Sequence, residues 1–248
     1  MVKLTRMKNC IFIILLILGV EFFYPGLSPI FAAQKAETNI KDVTKELINE
    51  EPKEEQEEQT EEPNEEQKNL LLFQTKKAYL WVKDSSLAKD KNIDDFIEVS
   101  LPGELYEHPK KILTVSKKEV DRSTLDGIAV SLFSANKAGD LKWITSNFVD
   151  DEQNKIKTLF KNKTVLRDSQ KDFQNIKTIY LTGQAEYKDY IILFVKENYQ
   201  SGKKVTEAIA CKQIQDGWRI TNALADDETY DVVFAALSNG KVTDQIKN

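Results

Sequence analysis

Between Lys177 and Leu224 the chain adopts a period of two, and this constrains its fold more than any other feature. The segments "KTIYLTGQAEY" and "YIILFVKENY" are separated by Lys188 and Asp189; "QSGK" leads into "KVTEAIACKQI", and "QDG" into "WRITNAL". Strand-forming residues with turn chemistry between them predict four strands. Connections this short join only antiparallel neighbours, so the four strands form a meander. Asp216-Gly217 is the turn that pairs the last two strands, because Gly carries no steric cost at positive φ. Trp218 and Ile220 then share one face of the closing strand, and Arg219 and Thr221 the other.

Upstream the period is helical. Ser116 and Glu119 have capping-box spacing, and Leu125, Ile128, Ala129, Leu132 and Phe133 fall on one helical face. Gly139 is placed to stop this helix, and Asp140 to cap a shorter one holding Leu141, Ile144 and Phe148, with Trp143 close by. A third helical region is expected around Ile156, Leu159, Phe160, Val165 and Phe173. Downstream, "DDETYDVVFAALSNGK" predicts a capped helix ending at Asn239-Gly240. Residues 69–115 give an irregular, partly stranded lead-in, broken at Pro102-Gly103 and His108-Pro109. N-terminal helices followed by a curved four-stranded meander make an α+β domain over residues 116–248, with the helices on one face of the sheet.

The first 68 residues have a different character. Lys3, Arg6 and Lys8 precede the apolar run "IFIILLILGV", which is the order of a secretory signal, with a small-residue cleavage site after Ala33. Residues 1–33 are read as a signal peptide and the protein as exported, to a periplasmic or extracellular compartment. The alternative is an uncleaved segment that anchors the chain in a membrane. Residues 34–68 are dominated by Glu, Gln, Pro, Asn and Lys, a composition that cannot bury enough apolar surface to offset ordering, so a disordered acidic linker is expected. Residues 69–248 hold 27 basic and 26 acidic side chains, which leaves the acidity in the N-terminal part. Without a basic cluster, nucleic acid is not an expected partner. Cys211 is the one cysteine beyond the signal; inside a strand pattern it reads as a small buried hydrophobe.

The order of "STLDGIAVSLFSANKAGDLKWITSNFVDDE", a further helix, and long hairpins ending in "QDGWRITN" resembles the NTF2-like superfamily over about residues 117–224. That superfamily comprises the cone-shaped α+β folds that include SnoaL-like and ketosteroid-isomerase-like proteins. The resemblance rests on Gly139-Asp140-Leu141 and on Asp216-Gly217-Trp218-Arg219-Ile220. It implies a concave pocket between sheet and helices, used by some relatives for catalysis and by others for binding or assembly, and it makes a homodimer an expectation.

In such relatives catalysis rests on a His paired with an acid, or on Asp with Tyr. Residues 117–224 contain no His, and the single His108 lies in the lead-in. Asp172, Tyr180, Tyr187 and Tyr190 are the candidates for an Asp and Tyr pair; Trp218 and Arg219 are candidates for a ligand or partner contact, Arg219 either as a solvated charge or at an interface. No phosphate loop, dinucleotide fingerprint or Cys/His metal spacing is present, and "DSSLAKDKNIDD" lacks the order of a calcium loop, so neither cofactor nor metal is expected. "NKT", Asn162 to Thr164, matches a glycosylation acceptor. The expected function is a non-catalytic, exported binding or assembly module. It would dock a protein partner or hold a small apolar ligand. The alternative is a small cofactor-free isomerase or dehydratase using a pocket Tyr and carboxylate.

Overall fold

The computed structural model describes residues 69–82 and 85–245; the expected signal peptide and acidic linker lie outside the described residues. Seven strands form one antiparallel sheet: β1 (Leu70–Lys76), β2 (Phe96–Ile112), β3 (Ile176–Tyr187), β4 (Tyr190–Tyr199), β5 (Lys204–Ile214), β6 (Gly217–Ile220) and β7 (Lys241–Gln245). Their spatial order is β6-β5-β4-β3-β2-β1-β7. Four helices connect β2 to β3: α1 (Leu125–Ala138), α2 (Leu141–Ser146), α3 (Asp150–Phe160) and α4 (Lys163–Gln174). A fifth, α5 (Glu228–Asn239), connects β6 to β7.

The fold is α+β and contains the expected meander β3 to β6, but the meander is the larger part of a wider sheet. The lead-in supplies β1 and the 17-residue β2, so two strands precede the helices. Pro109 does not end β2: between Leu105 and Lys110 the register with β3 shifts, and a bulge is where a residue without an N–H is tolerated. A second register shift between Leu181 and Gly183 lets Leu181 face one side of the sheet and Ala185 the other.

Helices cover both faces, not one. Along β4, Leu193 and Val195 join a core with α1 to α4, whereas Ile192 and Phe194 join a second core with α5. On β5, Ile209 and Cys211 belong to the first core, and Ala208 and Ala210 to the second. A central strand buried on both sides reads as a continuous apolar run, which is the composition of "YIILFV".

Local signals set the helix ends. The capping box at Ser116 and Glu119 is formed, but it starts a 3₁₀ turn over Lys117–Glu119. Helix α1 begins later, where the Thr124 side chain accepts from Gly127 N. Gly139 stops α1 in the left-handed region at φ 68°, and the Asp140 carboxylate caps α2 by accepting from Trp143 N. The third helical region is two helices, with the Asn162 side chain of the "NKT" sequence capping α4. At the sheet's edge, Gly217 has φ 115°, and the backbone carbonyls of Arg122 and Asn147 accept from Trp218 N and Ile220 N. Segments preceding α1 and α3 thereby cover the outer side of β6.

Candidate functional site at the helix-sheet cleft

Alternation on β4 and β5 places two acidic residues where apolar ones belong. Glu197 shares its face with Val195 and Tyr199, and Glu207 shares its face with Ile209 and Cys211; this face looks onto α1 to α4. Val195 pairs with Glu207 and Glu197 with Val205, so the two carboxyls are diagonal neighbours on adjacent strands. They are 2 % and 4 % exposed.

The two are not equally served. Tyr199 Oη donates to Glu197 Oε2 at 2.6 Å. Oε1 of Glu207 has no hydrogen-bond partner among the described residues. Burial pushes the Glu197 carboxyl up to about 7, against the opposing effects of the Tyr199 hydrogen bond and of Lys203. Burial also raises Glu207 well above the usual carboxylate range, and the neighbouring Glu197 raises it further. Two carboxyls in one apolar site do not both ionise readily, so this pair keeps its protons to higher pH than ordinary carboxyls do.

The pair lines a narrow cleft between α1 and the sheet. Its walls include Phe133, Phe148, Phe173 and Ile209, and its outer part includes Asn222 and Ala225. The Phe133 and Phe173 rings are 5.7 Å apart. Asn136 is held by its own helix and by α4: Nδ2 donates to Leu132 O, and Oδ1 accepts from Ser169 Oγ. The free space is about 30 Å³, enough for a water or a compact head group, since one water needs about 10–15 Å³ on this measure.

None of the six residues singled out from sequence lines this cleft. Asp172 is half-buried on α4. Tyr180 is half-buried on β3 between Lys111 and Lys196 of the flanking strands. Tyr187 and Tyr190 pair with each other at the β3–β4 turn; Tyr187 Oη donates to Asp227 at 3.2 Å, and Lys212 Nζ lies 5.3 Å from the Tyr190 ring. Trp218 packs on the first core. Arg219 is not a solvated charge: it is 6 % exposed, with its guanidinium 2.6 Å from Asp216 Oδ2 and 2.8 Å from Trp218 O. His108 is exposed in the β2 bulge. Cys211 is wholly buried and its thiol is pushed up to about 12, which makes it an inert core residue.

Glu197, Glu207 and Tyr199 escaped the sequence reading, although a usable signal existed. In "FVKENY" and "KVTEAIAC" each Glu is spaced by two from apolar residues, which puts it on their face. Other buried carboxyls are fully engaged. Glu152 accepts from Thr221 Oγ1, Asn222 N and Asn222 Nδ2, each at 2.8 Å. Asp231 accepts from the backbone N–H groups of Trp81 and Val82. Among the described residues no group of three His, Cys, Asp or Glu side chains is placed to hold a metal ion, and no helix is long and apolar enough to cross a membrane. The architecture defines an α+β protein with a seven-stranded antiparallel sheet. No family model, curated protein or solved structure matches the chain.

Proposed function

We propose that this chain is an exported, non-catalytic binding or assembly module, with an NTF2-like domain behind a Glu-rich tether, and that the helix-sheet cleft is its ligand site. The observation that carries this reading is Oε1 of Glu207, buried without a partner in a mostly apolar cleft. Buried polar atoms are nearly always satisfied, and one that lines a cleft without a partner is a place for a water, an ion or a ligand group. An apolar lining with a few convergent polar groups is the usual composition of a small-molecule site. Docking of a protein partner is supported separately by Ile93 and Phe96, apolar side chains 62 % and 52 % exposed near the start of β2.

One observation favours the second reading, a cofactor-free isomerase or dehydratase. A carboxyl held protonated near neutrality beside a Tyr hydroxyl can exchange protons with a bound substrate.

A fragment screen by ligand-observed NMR tests the site, comparing the full chain with Ala225→Trp, which fills the outer cleft from a half-buried position. Fragments that bind the wild type and are lost from the variant support the proposal. If Ala225→Trp binds every fragment as the wild type does, the cleft is not the ligand site.

A further inference from the structure

The proposed cleft combines two carboxyls at its inner end with aromatic walls. Glu197 and Glu207 enter from adjacent strands, and Phe133, Phe148 and Phe173 close in from the helix layer. Glu197 has Tyr199 for a partner, whereas Glu207, only 4 % exposed, presents an oxygen that no described residue bonds. Lys203 is exposed on the β4–β5 turn, its Nζ 5.4 Å from the Tyr199 ring, and does not bond to either carboxyl.

An anionic carboxyl buried in apolar surroundings is stable only with a cation and hydrogen-bond donors. A metal ion is a poor fit, because hard divalent cations take six or more oxygen ligands and two carboxyls here have apolar neighbours. A primary ammonium is compact, brings three donors, and is attracted by aromatic faces. The geometry points to a binding site for a small organic ammonium, with its head group between Glu207 and Glu197 and its apolar stem along Phe133 and Phe148 towards Ala225. This rests on the cleft being the ligand site, and it names the class of ligand.

Binding of the cation requires the carboxyl pair to release protons to solvent, so affinity should rise with pH. The groups facing the pair are Tyr199 on β4, Lys203 on the turn, Cys211 on β5 and Tyr230 on α5. Tyr230 and Cys211 are both held in their neutral forms by burial.

Calorimetric titration of the full chain with n-butylammonium, and with n-butanol as its neutral isostere, tests the inference. At about pH 8 the ammonium should bind at least tenfold more tightly than the alcohol, a difference of about 1.4 kcal/mol, and its affinity should weaken towards about pH 6 as the pair takes up protons. Glu207→Gln, which has the shape of the protonated residue, should lose that preference; Glu207→Met, apolar and of similar length, provides a second variant should the first fold poorly. Equal affinity for the two probes, or undiminished ammonium binding in these variants, overturns the inference. Butanol binding that Ala225→Trp abolishes, without ammonium preference, removes the ammonium site and leaves the ligand cleft standing. No binding of either probe removes the ammonium site.

Discussion

Glu152 and Glu207 are the same residue type, similarly buried, yet they stand in opposite situations. Glu152, in the first turn of α3, accepts three hydrogen bonds from Thr221 and Asn222 and so ties the helix layer to the segment that follows β6. Glu207, in the middle of β5, has an unbonded carboxyl oxygen and a second carboxyl, Glu197, for a neighbour. Burial alone therefore does not mark a functional carboxyl. What separates a structural tie from a candidate site is whether the donors are already present in the fold.

One substitution made at both places breaks the comparison open. Glu152→Gln exchanges an acceptor oxygen for an NH₂ group that faces donors from Thr221 and Asn222, leaving buried polar groups without acceptors. Lost hydrogen bonds to a carboxyl and unsatisfied buried donors cost roughly 1–3 kcal/mol each, so a total loss of about 3 kcal/mol is expected. Urea unfolding of the variant should show this as a lowered midpoint at unchanged slope. A loss below about 0.5 kcal/mol would show that the three bonds do not tie the layers together.

The effect of pH comes next in size. Glu197 has a folded value of about 7 against an ordinary 4.5, and Glu207 is also raised. A raised folded value means that the native state binds more protons than the unfolded chain, so the associated stability is full below about pH 4.5 and is lost as pH rises through about 7. Asp231, raised to about 6 by burial, adds a fall of the same sign that ends earlier. Between about pH 5 and pH 8 the wild type should lose more than about 1.4 kcal/mol, the worth of one pKa unit. In Glu197→Gln/Glu207→Gln only the shallower fall due to Asp231 should remain. A double variant with the wild-type profile would place the pH response elsewhere.

Legibility in the sequence divides along the same line between local and distant causes. Strands β3 to β6 could be read because Lys188-Asp189, Ser201-Gly202 and Asp216-Gly217 set their pairing within a few residues. Gly139, Asp140 and Asp227 marked helix ends by equally local chemistry. Strand β7, "KVTDQ", is polar and takes its strand state from pairing with β1 across most of the described chain, which no window of sequence contains. Strand β2 was hidden by Pro109, since a bulge that accommodates proline looks like a strand end. At the site, aromatic residues and the Trp-Arg pair drew attention by type, whereas Glu197 and Glu207 stand out only once parity along the strand is combined with a helix layer on that face. The Glu152 bonds depend on α3 lying against the end of β6, a tertiary fact without a local mark.

The smallest expected effect is the most discriminating. Burial holds the Glu207 carboxyl well above the usual carboxylate range, so Glu207→Gln puts a neutral planar group of the same shape in place of one that favours its neutral form, among the same cleft-lining residues. No hydrogen bond to Oε1 is lost, because none is made. Stability at about pH 7 should therefore change by no more than about 0.5 kcal/mol, the range of a substitution that removes no packing and no bond. At about pH 8 the variant should be the more stable protein, since it no longer risks an uncompensated buried charge. Urea unfolding of Glu207→Gln beside Glu152→Gln checks both points. A cost at residue 207 as large as that at residue 152 would mean that Glu207 is a structural tie after all, and the distinction between an engaged and a waiting carboxyl would fall with it.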